Sequence, residues 1–326
     1  MIYTSTQLVK MLLPVTLVTY IGNVAMAAPL GGDTLSSRHN NRIHLMKEPA
    51  IDVQAHRGGT GLMPENTVAS MLNAVKLGVK TLELDCSITA DKKVVVSHDP
   101  YMSADIMLKP DGSPISKEEE KGLAIYKMPY DSVRSYQAGV KPHPVHQQQA
   151  HVKTYKPLLS ELIDSVEAYV KANHLKPVCY NMETKCMPQY DNVFHPAPDE
   201  FVKLVMEVLK EKGIQNRVII QSFDVRTLQI LHKHYPAMQT SLLVYGQDSF
   251  ETQINKLGFY PTTYSPYFSL VTPELVKAAH TNHVTVLPWT VNKEEDMKQM
   301  ATYGVDGIIS DYPDKLIGLF GNYQRP

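Results

Sequence analysis

From residue 50 onward, short β-rich runs alternate with amphipathic helical patterns. That alternation limits the possible folds more than any other feature of the chain. Runs rich in β-branched and aromatic residues lie at 51–55, 79–85, 93–97, 177–183, 217–223, 239–244, 258–264, 283–288 and 305–310. Apolar residues at helical spacing mark 67–77, 160–173, 199–212, 224–234, 273–281 and 293–302. In the first of these, Val68, Met71, Leu72 and Val75 share a face, Asn66 stands where a cap is needed, and Gly78 can end the helix. Only residues 86–92 separate Asp85 from the run at 93–97. A parallel crossover needs more chain than that, so 93–97 is expected to fold back antiparallel on 79–85. Eight strands then remain, mostly joined by helices. Eight β/α units in about 270 residues predict an α/β fold of the closed (β/α)8, or TIM, barrel type. An open doubly wound sheet is the alternative. Gly58, Gly59 and Gly61 in the first turn lack the G-x-G-x-x-G spacing that a dinucleotide-binding version would use.

One stretch breaks the rhythm. Residues 100–157 are rich in Pro, Lys, Gln and His and end in KPHPVHQQQAHVKTYKP. This is too long for a barrel loop and reads as a small inserted segment after the second strand. His143, His146 and His151 match no specific metal-site spacing and are read as solvated loop histidines. At the N-terminus, residues 11–27 are apolar and uncharged, follow Lys10, and end in Ala25-Met26-Ala27. Residues 1–27 are therefore expected to be a secretory signal peptide, 28–49 a lead-in, and 50–326 the barrel. The stretch is short and broken by Pro14, Gly22 and Asn23, which favours a cleaved leader over an anchor helix. The expected protein is exported, periplasmic or secreted, with no stable membrane insertion after the leader is removed. The net charge of −1 offers no global field for nucleic acid or anionic membrane.

Polar residues gather at the C-terminal ends of the strands, the active-site face of a barrel. His56 and Arg57 follow the first strand, Glu83 and Asp85 end the second, and His98 and Asp99 follow the hairpin. Glu183 and Lys185 end the next strand, Trp289 and Asn292 follow the seventh, and Asp311 follows the eighth. Strand side chains alternate, so Glu83 and Asp85 point the same way. Two anions at a barrel mouth, joined by Glu183 from the neighbouring strand, either form an ion-pair network with Arg57 and Lys185 or hold a divalent cation. Three carboxylates with water suit a hard ion, Ca²⁺ or Mg²⁺. His56 and His98 can serve as acid and base near neutral pH. Arg57 and Lys185 favour an anionic, phosphate-bearing substrate. Together these groups fit phosphoryl chemistry, where charge stabilisation does most of the catalysis. Trp289 either walls the pocket or belongs to the core.

The segments HRGGTGLMPENT, LELD, SHDP, NMETK, QSFD, PWTVN and GIISDYP occur in the order and spacing of the glycerophosphodiester phosphodiesterase family. The chain resembles that family from about residue 50 to 320. The resemblance implies a (β/α)8 barrel that hydrolyses glycerophosphodiesters, such as glycerophosphocholine, to an alcohol and sn-glycerol 3-phosphate. It also implies that His56 and His98 are the acid/base pair and that Arg57 and Lys185 bind phosphate. Glu83, Asp85 and Glu183 would be the ligands of one divalent ion. The alternatives are a phospholipase D-like activity on lysophospholipids and a non-catalytic exported binding module. Glu65 belongs to the motif without a derivable role. Cys86 and Cys186 each follow a site residue, on strands expected to be neighbours. They are expected either to form a disulfide, with Cys179 free, or to remain buried thiols.

Overall fold

The computed structural model describes residues 51–323, so the leader at 1–27 and the whole lead-in at 28–49 lie outside the described residues. The strands and helices follow one another as β1 (Asp52–Ala55), α1 (Val68–Leu77), β2 (Thr81–Ile88), β3 (Val94–Val96), β4 (Met107–Leu108), α2 (Tyr130–Ser135) and β5 (Gln137–Ala138). Then come α3 (Leu159–Ala172), β6 (Cys179–Thr184), α4 (Pro198–Lys212), β7 (Val218–Ser222), α5 (Val225–His234), β8 (Gln239–Val244) and α6 (Phe250–Leu257). The last elements are β9 (Thr263–Pro266), α7 (Pro273–Thr281), β10 (Thr285–Val286), α8 (Glu294–Thr302), β11 (Gly307–Ser310) and α9 (Pro313–Phe320).

Eight parallel strands pair in the order β10-β9-β8-β7-β6-β2-β1-β11. Three backbone hydrogen bonds join the two ends of that row: Asp306 N to Val286 O, Ile309 N to Pro288 O, and Val291 N to Ile309 O. The row thus closes on itself as a (β/α)8 barrel, and the open-sheet alternative falls. Apolar stripes seat the helices on the outside of the barrel. In α4, Phe201, Val202, Val205 and Leu209 are buried, and each such side chain contributes roughly 1.5–3 kcal/mol through burial.

The structure departs from the sequence expectations in a few places, each with a local cause. Thr67, not Asn66, caps α1, accepting from Ser70 N while Ser70 Oγ accepts from Thr67 N. Asn66 takes a left-handed conformation at φ +57° and sends its side chain into the site. β2 runs on to Ile88, so β3 pairs antiparallel with residues 86–88 and not with 79–85. The short helices α6 and α9 were not expected from the sequence; Gly258, read as a strand start, is the left-handed cap of α6, and β9 begins later, at Thr263.

The inserted segment packs its own small core from Met102, Met107, Ile125, Tyr130 and Val133, with β4 and β5 paired antiparallel. Its second half crosses the loop after β1: Gln149 Nε2 donates to Thr60 O at 2.7 Å and Ala150 N to Leu62 O at 2.9 Å.

Candidate active site

β1 ends in a single 3-10 turn, His56–Gly58, in which Arg57 sits at φ +52°. Gly58 follows at φ +82°, where any Cβ would collide with the Ser70 side chain. Only glycine permits this tight turn against α1, and the turn presents His56 and Arg57 to the barrel mouth. Arg57 N donates to Glu83 Oε2 at 2.7 Å. Its guanidinium donates to Glu65 Oε2 at 2.8 Å, which gives Glu65 a role: it aims Arg57. Arg57 Nε is buried without a hydrogen-bond partner, 3.6 Å from Asp85 Oδ2.

β2 and β6 lie in register, with Asp85 opposite Glu183. Oxygens of Glu83, Asp85 and Glu183 lie within 4.8 Å of one another, and all three residues are buried. Burial, then the charge of Asp85, pushes the Glu83 carboxyl up to about 8. Burial also lifts Glu183 to about 7, against the pull of Lys185. For Asp85 burial works in the same sense, but Lys185, His98 and Arg57 overcome it and hold the carboxyl far below its usual range. Lys185 Nζ lies 2.9 Å from Glu183 and 3.7 Å from Asp85. Further polar groups fix the carboxylates. Gln221 Nε2 donates to Glu83 Oε1 at 2.7 Å. Asn66 binds Asp85 twice, through Nδ2 to Oδ2 at 2.8 Å and by accepting Asp85 N at 3.1 Å. Three rigid carboxylates, two of them short of compensating charge, are a donor set that fits a hard divalent cation.

The two histidines line the same cavity as this cluster and are held by different carboxylates. His56 Nδ1 meets Asp311 Oδ1 at 2.5 Å, and Asn292 Nδ2 holds the other oxygen of Asp311 at 2.7 Å. Burial and Arg57 draw the His56 pKa down, but Asp311 outweighs them and the net shift is upward. Burial would raise Asp311, yet His56 and Asn292 hold it at about 2. His98 pairs through Nδ1 with Asp99 at 3.0 Å. Burial, Lys185 and Arg57 lower its pKa. One histidine is thus biased toward the cation and the other toward the neutral ring.

A cavity of about 90 Å³ is lined by His56, Arg57, Glu83, His98, Glu183, Lys185 and Trp289. The site residues expected from sequence therefore meet in one place, with Asp85 beneath them. Trp289 is half-buried, donates from Nε1 to Ser265 O at 2.8 Å, and stacks edge-on with Phe223 and Tyr267. Of the two readings the sequence left open, the structure supports the pocket wall.

A model of the glycerophosphoryl diester phosphodiesterase family matches residues 56–315. The chain belongs to that family. A glycerophosphodiester phosphodiesterase of Caldanaerobacter subterraneus is 31% identical over 267 residues, covering 82% of this chain and 96% of its own. The crystal structure of a Silicibacter pomeroyi protein assigned to glycerophosphoryl diester phosphodiesterase activity is 30% identical, with a TM-score of 0.74, 84% of this chain and 96% of that chain covered. An Oleispira antarctica phosphodiesterase solved with the product sn-glycerol-3-phosphate is 25% identical, with a TM-score of 0.65, 82% and 96% covered. This family member is a phosphoric diester hydrolase that acts on glycerophosphodiesters.

Several residues of the phosphodiesterase site escaped the sequence reading as functional groups. Asp311 and Asn292 were visible as strand-end polar residues, but their shared task of orienting His56 needs the fold. Gln221 and Asn66 gave no chemical signal beyond lying in QSFD and PENT. His146, read as solvated, is buried with Nε2 3.6 Å from Asp311 Oδ2. Cys86 and Cys186 are free thiols, which corrects the disulfide alternative. Register sets Cys86 opposite Thr184, and the chain then turns so that Cys186 Sγ faces His195 Nδ1 at 3.7 Å.

Proposed function

We propose that His56 and His98 move the protons in an exported, divalent-cation-dependent phosphodiesterase that cleaves glycerophosphocholine and glycerophosphoethanolamine. The products are the free alcohol and sn-glycerol 3-phosphate. The observation that carries this reading is the meeting of two oppositely biased histidines with three crowded carboxylates around one small cavity. Glu83, Asp85 and Glu183 would hold one Ca²⁺ or Mg²⁺, which when bound neutralises charge on the phosphate oxygens. Arg57 and Lys185 orient the phosphodiester, the free Nε donor of Arg57 being available to a phosphate oxygen. His98, biased neutral, accepts the proton of the attacking hydroxyl, from water directly or from the glycerol C2 position, the latter giving a cyclic phosphate that water then opens to sn-glycerol 3-phosphate. His56, biased toward its protonated form by Asp311, gives its proton to the leaving alcohol. The test is turnover of both substrates with and without chelator, restored separately with Ca²⁺ and Mg²⁺. Full activity in chelator, or near-wild-type turnover of either His56→Ala or His98→Ala, would sink the reading. Removal of residues 1–27 from the exported protein, read by N-terminal sequencing, tests the leader.

A second substrate class has one observation in its favour. A groove of about 450 Å³ opens from the site past Pro100, Met187, Tyr190, Phe223, Tyr245 and Trp289. Its walls are mostly apolar, and it shares Glu183, Lys185, Phe223 and Trp289 with the catalytic cavity. A single acyl chain fits that lining. Choline release from lysophosphatidylcholine, compared with glycerophosphocholine in the same assay, decides between them.

A further inference from the structure

We propose that the inserted segment is a working part of the active site, with Lys156 a positioning residue for His98 and His146 one for His56. The proposal rests on the reading of these two histidines as the proton-transfer pair. Lys156 lies at the end of the insertion and is only 6% exposed, a placement lysine adopts only when its charge is matched. Its Nζ donates to Ser97 Oγ at 2.6 Å. Ser97 Oγ donates in turn to the carbonyl of Asp99 at 2.6 Å. These two bonds bracket His98, whose ring is held by the Asp99 carboxylate. Burial pulls Lys156 toward the neutral amine, while Asp99, Glu65 and Asp85 favour its charge. Through Ser97 Oγ, Lys156 Nζ thus ties down the carbonyl just after His98, and its charge offsets the carboxylate that orients the ring.

His146 does the corresponding work on the other side. It is buried by the strap that Gln149 and Ala150 tie to the loop after β1. Its Nε2 lies 3.6 Å from Asp311 Oδ2, and its Nδ1 lies 3.2 Å from the Tyr312 hydroxyl. It thus backs the carboxylate whose other oxygen holds His56. The charged groups facing His98 include Lys185, Arg57, Asp85, Asp99 and Glu65, and those facing His56 include Arg57, Asp311 and Glu83.

The experiment is a pH profile of kcat and KM on glycerophosphocholine for K156M, K156R, H146L and H146Q, with H56A and H98A alongside. K156M is expected to lower kcat about tenfold at nearly constant KM, the size of effect seen when a group that orients a site residue is lost. Without the cation beside Asp99, His98 protonates more readily, so the limb it controls moves to higher pH. K156R restores much of both. H146L lowers kcat several-fold and moves the other limb, and H146Q, which can present Nε2 to Asp311, restores it. Wild-type kcat and profile in K156M and H146L overturn the proposal. So does a loss of activity that tracks the folded fraction while both limbs stay in place. Near-wild-type turnover by H56A or H98A instead removes the histidine pair on which it rests.

Discussion

Two clusters of side chains that could hold a metal flank Lys185, and they differ in what else surrounds them. Glu83, Asp85 and Glu183 form one; Cys186, Asp191 and His195 form the other, and in each the ligand atoms lie within 4.8 Å. In the second, every group is already satisfied. Asp191 takes both terminal nitrogens of Arg226, at 2.7 and 2.9 Å, and Arg226 also grips buried Asp224. His195 Nε2 lies 3.0 Å from Met187 N, and its Nδ1 lies 2.8 Å from Pro196 O. Burial keeps the Cys186 thiol protonated. In the first cluster Arg57 and Lys185 are shared among four carboxylates, Glu65 included, and Glu83 and Glu183 are left with raised pKa values. Proximity of ligand types does not distinguish the clusters. An unmet demand for positive charge does.

Mutation should separate the two clusters by the widest margin. Glu183→Gln and Asp85→Asn should each lower kcat by a factor of about 100 or more, through loss of cation-dependent charge stabilisation. Cys186→Ser should keep kcat within about twofold of wild type, since Cys186 is buried outside the lining of the catalytic cavity and its thiol faces His195. An equal fall in steady-state turnover for both clusters would erase the distinction. A second, smaller effect concerns stability. Glu83 and Glu183 bind protons more tightly folded than unfolded, so the stability they supply is full below their ordinary pKa of 4.5 and is lost as pH rises through about 7 and 8. Metal-free protein should therefore show a Tm that falls across that window. A divalent cation should raise the Tm most at its upper end, where it need not displace protons. A cation effect on Tm that is flat with pH would contradict this.

The second cluster should respond to loss of its own cation. Arg226→Met leaves buried Asp224 unpaired and should cost about 2 kcal/mol, read from the urea midpoint; an unchanged midpoint would show that Arg226 is dispensable there. The smallest effect is expected from reductant. With three free thiols, a reducing agent should leave the Tm unchanged, and a measurable drop would mean a bridge exists after all.

The fold was legible because strand and helix periods alternate over the whole barrel, and the site because its residues fall at strand ends, a position fixed by topology. Glu83 and Asp85 could be paired by alternation alone. What could not be read was anything set by a single backbone angle or by contacts across the barrel. Asn66 looked like a cap because the cap and the left-handed residue before it are chemically alike. Asp311 and His56 are 255 residues apart and meet only because β1 and β11 pair. Lys156 sits in a stretch whose composition resembles an exposed loop, and its burial follows from tertiary packing that local pattern does not encode.

The barrel's closing seam has a consequence for how the molecule would come apart. β10 is two residues long, and three backbone hydrogen bonds span the gap from residues 286–291 to 306–309. On the far side, β2 and β6 are in register over six residue pairs. Amides at the seam should exchange with deuterated solvent well before those of β2 and β6. Asn292 and Asp311 flank the seam, whereas the carboxylates ride on the two best-paired strands. As denaturant rises, the grip on His56 would slacken first, and the cluster of three acids would be among the last features to dissolve.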